Sequence, residues 1–323
     1  MDNPVVSIIT PIYNTGAFII KSLECTKRQT FQNFEHIIVD DCSKDNSVQL
    51  VEAWIAANNY KCTFIKNAEN KGVSKTLNIG IRLAKGKYIK GLADDEWTDD
   101  FLEKRVAHFE KQDASVGATY SDVKIIDEQS QVYAESYYKY RNQYDIVEKQ
   151  YTFPYPDILN IGHRIVAPSV MTRRSIYDTV GLYDENLIAE DVDMWFRIAR
   201  GKFKFAYFPE SLIYYRTRKA SLGNSAVYKP RLIQEWMIVY EKHMNVPELS
   251  TRMRRKYRKM AVMNYYKGKD TNSRWFLNSY KLNKDLRSLC YYTLCLLKVS
   301  PVFAGKIKNL VVKDDKENES IDS

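Results

Sequence analysis

The first hundred residues alternate short apolar runs with longer segments in which apolar residues recur at helical spacing. Four apolar runs of five or six residues predict buried strands, at 5–10, 34–39, 62–66 and 88–92. Three intervening segments have apolar residues three and four positions apart, which predicts helices, at 17–29, 47–57 and 74–84. Strands that alternate with helices of about ten residues predict a parallel sheet with right-handed crossovers.

Polar clusters follow three of these predicted strands. They are Pro11–Asn14, Asp40-Asp41 and Asp94–Glu96. Ligands of open parallel sheets bind at the carboxyl ends of the strands, so we expect the three clusters to meet at one site.

The pattern changes after Thr119, where stretches at 135–144 and 151–156 are aromatic and irregular. One helix stands out at Glu190–Arg200, and short apolar runs at 203–208 and 212–215 predict closing strands. We therefore expect a catalytic domain over 1–220, with a ligand-binding half at about 1–97 and a second half at about 98–220.

Residues 221–312 have helical spacing throughout, and the polar tail 313–323 is expected to be disordered. Six of the eight residues in Arg252–Lys259 are basic. The apolar run Leu286–Val299 is shorter than the roughly 20 residues that span a bilayer, so it is expected to lie in a membrane interface or to pack as a buried helix.

The charge is unevenly distributed along the 323 residues, whose formal net charge is +9. Residues 1–216 contain 27 Lys+Arg and 30 Asp+Glu, whereas residues 217–323 contain 22 and 10. A basic C-terminal third requires an anionic partner, either nucleic acid or an anionic membrane face. The five scattered cysteines and the absence of a signal-peptide pattern predict a cytoplasmic address.

Three acidic pairs, Asp40-Asp41, Asp94-Asp95 and Glu190-Asp191, are each open to two interpretations. Adjacent carboxylates at a strand end are costly unless a cation neutralises them, and Mg²⁺ or Mn²⁺ shared with a diphosphate does so. A single carboxylate there can instead bind a nucleoside or act as a general base. However, each pair also precedes a predicted helix, where acidic residues are favoured as caps.

In combination, these features resemble the family-2 inverting glycosyltransferases of the GT-A fold. The stretches that match, in order over about residues 5–215, are VSIITPIYN (6–14), QTFQNFEHIIVDDCSKDNS (29–47), NKGVSKTLNIGIRLAKGKYIKGLADDEW (70–97) and VGLYDENLIAEDVDMWFRIARG (180–201). The resemblance implies a Rossmann-like α/β fold, a mostly parallel sheet flanked by helices, with a helical C-terminal extension. It also implies transfer of a hexose or N-acetylhexosamine from a UDP-sugar, with inversion, to a saccharide that is expected to be lipid-linked, in capsule, O-antigen or exopolysaccharide synthesis.

The resemblance also suggests roles for individual residues. Asp191 matches the catalytic base, and Asp95, with Asp94, matches the ligands of Mn²⁺ or Mg²⁺. The positions expected to bind the nucleotide and its diphosphate are Pro11, Tyr13, Asp40, Asp41, Lys75, Asp94 and Asp95. On the acceptor side we expect Glu190, Asp122 and His163.

Three positions depart from the family pattern. Ala93 stands where the first Asp of the metal motif is usual, which leaves Asp94-x-Glu96 as an alternative pairing. Cys42 replaces the usual Gly, and Lys75 replaces the usual Arg, so a point charge replaces a bidentate fork.

Rival functions follow from these departures and from the charge. Ala93 leaves room for an inactive member that only binds a nucleotide sugar. A nucleotidyltransferase would usually carry a Gly-rich basic loop after the first strand, which PIYNTGAF lacks. No RRM, KH or helix-turn-helix signature supports nucleic-acid binding, so we expect the basic C-terminal region to contact the inner membrane instead.

Overall fold

The computed structural model describes residues 3–143, 152–153, 164–218, 229–243, 251–266 and 273–299. The chain forms two compact units, Met1–Asn224 and Ser225–Ser323, which are described separately below. The predicted boundary near residue 220 and the division at residue 97 stay predictions. The expectations for His163 and for the tail 313–323 lie outside the described residues.

The first unit contains an eight-stranded sheet. In spatial order its strands are β3 (Thr63–Lys66), β2 (Phe34–Asp40), β1 (Val6–Ile12), β4 (Tyr88–Gly91), β10 (Met171–Arg173), β6 (Val116–Ser121), β11 (Lys204–Phe208) and β9 (Thr152–Phe153). The first four strands are parallel, as predicted. Strand β10 is antiparallel to both of its neighbours, β4 and β6, and β11 is again parallel to β6. The mostly parallel sheet of the GT-A fold is thereby confirmed.

A second, four-stranded sheet lies beside the carboxyl end of β4. Its order is β5 (Glu96–Trp97), β12 (Ile213–Arg216), β7 (Lys124–Ile126) and β8 (Val132–Ala134). Strand β12 pairs with β5 through Ile213 and Trp97, so the chain just after Asp94-Asp95 contacts the end of the catalytic unit.

The described helices of the first unit are α1 (Ile19–Lys27), α2 (Ser47–Asn58), α3 (Val73–Leu83), α4 (Phe101–Glu110), α5 (Tyr137–Tyr140), α6 (Ile176–Val180) and α7 (Glu190–Arg200), with a 3₁₀ turn at Ala167–Ser169. Four of them, α1, α2, α3 and α7, begin and end within two residues of the predicted bounds, and the three others were not predicted. The short helix α5 is a correction, because 135–144 was expected to be irregular. Ser136 caps it by accepting a hydrogen bond from the backbone N–H of Lys139.

Helix α3 packs closely on strand β1. A Cβ added at Gly80 would lie 2.4 Å from Cγ2 of Ile9, so only glycine permits this approach. On another part of the sheet, Ile12 and Ile38 pack with Leu23 of α1 and Trp54 of α2. The apolar runs that predicted β1, β2 and β4 are mostly buried, whereas β3, expected to be buried, is an edge strand with exposed ends.

The second unit contains four described helices. They are α8 (Lys229–His243), α9 (Thr251–Tyr266), α10 (Ser273–Asn283) and α11 (Leu286–Leu296). Tyr265, Phe276 and Tyr291 are buried together, and the rings of Phe276 and Tyr291 stack with centroids 5.1 Å apart. Within the described ranges, no helix has the length and hydropathy that crossing a bilayer requires.

Candidate active site

Asp95 lies buried where β4 leads into β5, and partners distant in sequence hold it there. Its Oδ1 accepts a hydrogen bond of 2.8 Å from the backbone N–H of Arg216. Its carbonyl oxygen accepts a bond of 2.7 Å from the hydroxyl of Ser22 on α1. Among the described residues, no hydrogen-bond donor contacts its Oδ2. Burial first, and then the negative charge of Asp94, raise the pKa of Asp95 to about 7.

Two arginines meet the other acidic residues of this stretch. Arg218 pairs with Oδ2 of Asp94 at 2.8 Å, and Arg216 pairs with Glu96. Arg216 also donates from Nε to the carbonyl oxygen of Asp94 at 2.9 Å, and both guanidinium groups lie over the ring of Phe18. Asp94 and Glu96 therefore already have cationic partners, which argues against the alternative Asp94-x-Glu96 pairing.

The residues fit a divalent cation that is shared with a ligand. Burial, and then the charge of Asp94, disfavours the ionised form of Asp95 and raises its pKa, and a cation bound beside this carboxylate would stabilise that form. Among the described residues, no group of three or more His, Cys, Asp or Glu side chains is arranged to hold a metal on its own. Oxygen atoms of a bound diphosphate would have to complete the coordination, with Asp95 as the protein ligand and Asp94 as the less suited one.

Asp191 lies in the first turn of α7, on the same cavity as Asp95. Its Oδ1 accepts a bond of 2.8 Å from the backbone N–H of Val192, and burial raises the pKa of its carboxyl. Glu190 lines the cavity beside it. A half-buried carboxylate with a raised pKa is suited to taking a proton.

Helix α3 positions the segment that leads into α7. The hydroxyl of Ser74 donates to the carbonyl oxygen of Leu187 at 2.6 Å. The amide of Asn78 donates to the carbonyl oxygen of Tyr183 at 3.0 Å and accepts from its N–H at 2.9 Å. The polar residues Ser74 and Asn78 of the stretch 70–97 thus hold the segment that leads to Asp191.

The cavity has a volume of about 170 Å³ and lies at the carboxyl ends of β1 and β4. Beyond the strand ends, its lining includes the carboxylates of Asp95, Glu190 and Asp191 together with Pro11, and we call this part the polar rim. The structure thus brings together the predicted base, the predicted metal ligand and one predicted nucleotide position.

The other residues predicted to bind the nucleotide include Tyr13, Asp40 and Asp41, at the ends of β1 and β2. Tyr13 is 47% exposed, and Asp40 and Asp41 are buried. The carboxylate of Asp41 accepts from the backbone N–H groups of Lys71 and Gly72, both at 2.8 Å, so it anchors the loop before α3. Asp40 accepts from the N–H of Ser43.

Neither Asp40-Asp41 nor Asp94-Asp95 provides the cap of the helix that follows it, whereas Glu190-Asp191 does lie in the first turn of α7. The residue that precedes α2 is Asn46, and the one that precedes α4 is Asp100; neither cap side chain makes a capping bond. At α7 the first turn is acidic, as the helix dipole favours, but the cap residue is Ala189.

A model of glycosyl transferase family 2 matches residues 7–180, which is more than half of the chain. The chain belongs to glycosyl transferase family 2. A glycosyltransferase of Rickettsia typhi is 30% identical over 229 residues, which cover 70% of this chain and 68% of the relative.

Two solved structures share the fold of this glycosyltransferase. Residues 1–349 of TarS from S. aureus, in complex with UDP-GlcNAc, align with a TM-score of 0.64 and 18% identity, over 85% of this chain and 79% of that one. The mannosyltransferase PcManGT from Pyrobaculum calidifontis, in complex with GDP-Man and Mn²⁺, aligns with a TM-score of 0.60 and 16% identity, over 97% and 89%. At these identities the likeness establishes the fold only.

Two other residues predicted to belong to the site of this glycosyltransferase, Lys75 and Asp122, differ in their exposure to solvent. Lys75 is exposed in the first turn of α3, at the end that faces the loop anchored by Asp41. Asp122 is buried, and its carboxylate accepts from the N–H of Tyr137 at 3.0 Å and from the hydroxyl of Ser136. Because Asp122 stabilises the start of α5 and does not line the cavity, its contacts lend no support to an acceptor role.

The sequence patterns did not identify Lys90 as a buried residue of this glycosyltransferase beside the cavity. Lys90 is completely buried, and its Nζ donates to the carbonyl oxygens of Gly91 at 2.6 Å and of Pro168 at 2.5 Å. Burial lowers its pKa to about 7. Since Pro168 lines the cavity, Lys90 ties a cavity wall to β4. The one signal in the sequence was that Lys90, a basic residue, lies within the apolar run 88–92 that predicted a strand.

Proposed function

We propose that this glycosyltransferase moves a hexose or N-acetylhexosamine from a UDP-sugar to a hydroxyl of a saccharide acceptor, with inversion at the anomeric carbon. The observation that carries the proposal is the placement of Asp95 and Asp191 on one cavity at the carboxyl ends of the strands. The complexes of TarS with UDP-GlcNAc and of PcManGT with GDP-Man, on the same fold, support a nucleotide-sugar donor.

In this mechanism Asp191 takes the proton of the attacking acceptor hydroxyl. Its raised pKa makes the carboxylate a better proton acceptor than an exposed Asp. Attack from the side opposite the leaving diphosphate inverts the configuration, so an α-linked donor gives a β-linked product. Glu190, beside Asp191 on the rim, is placed to contact the acceptor.

The nucleotide would be held at the ends of β1 and β2. The exposed ring of Tyr13 offers a face for the base, and Asp40 and Asp41 are buried at and just after the end of β2. Lys75 is placed to approach the diphosphate as a point charge. A divalent cation bound at Asp95, either Mn²⁺ or Mg²⁺, would neutralise charge on the departing diphosphate; the Mn²⁺ named with PcManGT supports this.

The base assignment is tested with Asp191→Asn. We expect turnover to fall by about 10²- to 10⁴-fold while donor affinity changes little, because the amide keeps the shape but cannot take a proton. Nucleotide release over UDP- and GDP-sugars, with saccharide and lipid-linked acceptors, gives turnover; calorimetry gives donor affinity. Asp178→Asn, on the exposed face of α6, is the matched control. Near-normal transfer by Asp191→Asn would contradict the assignment.

The same measurements separate the rival functions. An inactive member would bind the nucleotide sugar but release no nucleotide from any donor. A nucleotidyltransferase would instead consume a nucleoside triphosphate and release diphosphate.

We also propose that the second unit contacts an anionic membrane surface, which would bring the enzyme to a lipid-linked acceptor at the cytoplasmic face. Leu286, Leu296 and Leu297, in and just after α11, are 77%, 55% and 69% exposed. Helix α9 adds exposed Arg255 and Lys259, and each basic residue near such a surface contributes about 1 kcal/mol. Arg258, of the same basic stretch, instead pairs with Asp285 at 3.2 Å.

Flotation with vesicles that contain anionic lipid tests this contact. The parent is expected to float, and replacement of the three leucines by serine is expected to leave the protein at the bottom of the gradient. Leu83→Ser, at a position of the first unit that is 44% exposed, is the control. Equal flotation of parent and triple variant, or none by the parent, would contradict the proposal.

A further inference from the structure

Beneath its polar rim, the cavity continues into a pocket with apolar walls. We call this pocket the apolar chamber; its walls are Ile9, Leu77, Ile81, Ile89, Tyr177 and Trp195. Ile9 and Ile89 belong to the middle of β1 and β4, so the chamber extends below the strand ends at which Asp95 lies. Part of a ligand that reaches past the reacting carboxylates would therefore meet mainly hydrocarbon, because the hydroxyls of Thr172 and Tyr177, which also line the cavity, lie 3.1 Å apart and bond each other.

Small residues at the end of β4 leave room for the ligand. Gly91 and Ala93 both line the cavity. A Cβ added at Gly91 would meet no atom within 4 Å, so the fold itself does not require glycine there. Glycine in a strand weakens it and often marks a place where a ligand approaches the backbone closely. Gly91 and Ala93 are consistent with such an approach.

The chemistry of the walls selects what can enter. Each hydroxyl moved from water to an apolar surface without a hydrogen bond costs about 1–3 kcal/mol, whereas a buried methyl group is favourable by about 0.8 kcal/mol. A plain hexose carries a hydroxyl at every free ring position, so its ring suits the polar rim and not the chamber. A sugar with a substituent that ends in a methyl group suits both.

The donor sugar is the better occupant because Asp95 lies on the same cavity. The proposed diphosphate position is at Asp95, and the donor sugar is bonded to that diphosphate. The acceptor has to approach on the side of Asp191 instead.

We propose that the apolar chamber takes a methyl-ended substituent of the donor sugar, and that the enzyme therefore prefers a 2-acetamido or 6-deoxy sugar nucleotide to an unsubstituted one. This inference rests on the proposed function, since it concerns the donor of that reaction. It narrows the donor from any hexose to those with an apolar substituent.

Three donors that differ only in the substituent test the preference: UDP-glucose, UDP-N-acetylglucosamine and UDP-6-deoxyglucose. With the full chain and Mn²⁺, kcat/KM for nucleotide release is expected to be about 10- to 200-fold higher for one methyl-bearing donor than for UDP-glucose, the range that a hydrophobic pocket achieves. The donor whose kcat/KM is higher than that of UDP-glucose shows whether the acetamido or the 6-deoxy methyl group enters the apolar chamber. Calorimetric titration of each donor provides a second readout.

Gly91→Val adds a branched side chain to the lining of the cavity, at a position where a Cβ meets no atom within 4 Å. It is expected to lower the ratio of kcat/KM between the favoured donor and UDP-glucose at least tenfold, with Gly91→Ala intermediate. Ala53→Val, on the exposed face of α2, adds two methyl groups away from the cavity and is expected to leave the ratio unchanged. Thermal unfolding confirms that each variant is folded.

The outcomes separate this inference from the proposed function. If UDP-glucose is used as well as both methyl-bearing donors, and its use still depends on Asp191, the function stands and the chamber inference is wrong. A Gly91→Val variant that keeps the parent ratio also overturns the inference. If none of the three donors is bound or consumed, the chamber inference is wrong, and the proposed function is also wrong if no other UDP-sugar is consumed.

Discussion

Arg216 donates its backbone N–H to Oδ1 of Asp95 at 2.8 Å, although the two residues are 121 positions apart. The side chain of Arg216 is fully buried and reaches the carbonyl oxygens of Asp94, at 2.9 Å, and of Asp127, at 2.8 Å. The end of β12 thus holds the carboxylate that is proposed to bind the metal.

Loss of this arginine should destabilise the first unit. We expect Arg216→Met to lower the free energy of unfolding by about 3–5 kcal/mol, because it leaves Glu96 without its cationic partner and the carbonyl groups of Asp94 and Asp127 without the hydrogen bonds of Arg216. Arg216→Lys should recover part of the loss, since it restores the positive charge but not the planar guanidinium group that donates several hydrogen bonds. Urea unfolding measures both, with Arg174→Met at an exposed position as the control. A loss no larger than that of the control would contradict the prediction.

Metal-supported nucleotide binding should depend on Asp95. We expect Mn²⁺ to strengthen UDP binding by the parent but not by Asp95→Asn, with a smaller effect of Asp94→Asn because Arg218 already pairs with Asp94. The raised pKa of Asp95, about 7, means that the proton competes with the cation at lower pH. The gain from Mn²⁺ should therefore shrink as the pH falls below 7 in calorimetric titrations. An equal gain in parent and Asp95→Asn would refute the assignment.

Cys42 occupies a left-handed backbone conformation, with φ of 62°, at the position where the family usually has Gly. A Cβ in this conformation costs energy, so Cys42→Gly is expected to raise the free energy of unfolding by about 1 kcal/mol. Cys42→Ala removes the thiol but keeps the Cβ, and it should show no such gain. If alanine and glycine have the same effect in urea unfolding, the strain is not at this Cβ.

Folding should weaken in acid because of His36, which is buried in β2. Its Nε2 is 2.8 Å from Oγ1 of Thr10 and its Nδ1 is 3.1 Å from the hydroxyl of Tyr60. Burial lowers its pKa to about 3, whereas the unfolded chain takes up the proton near the ordinary value of 6.5. The contribution of neutral His36 is thus fully present above pH 6.5 and is lost progressively as the pH falls toward 3.

At pH 5 this loss amounts to about 2 kcal/mol. His36→Gln should remove that part of the pH dependence, so the free energies of unfolding of parent and variant should converge between pH 7 and pH 5. The measurement is urea unfolding at both values. A constant difference between the two proteins would show that His36 does not titrate in this way.

Local patterns predicted much of the fold. Apolar runs and helical spacing placed β1 to β4 and α1 to α3 to within two residues, because burial of one face imposes the same period wherever it occurs. The antiparallel strand β10 was not foreseen, since three residues carry no usable period and its partners lie far away in the sequence. Asp122 was expected at the acceptor, but it bonds Ser136 and Tyr137, 14 and 15 positions further along the chain, at the start of α5.

For the site, the sequence alone determined the order of Tyr13, Asp41, Asp95 and Asp191 along one strand-and-helix scaffold. It determined the family for the same reason: these residues recur at strand ends that a parallel sheet brings together. Only the tertiary structure decided that Arg216 and Arg218 contact the acidic residues Asp94 and Glu96. It also decided that Asp95 and Asp191 line one cavity, and that Gly91 leaves space in its lining. Those relationships join positions more than 80 residues apart, and their charge and burial exist only once the chain has folded.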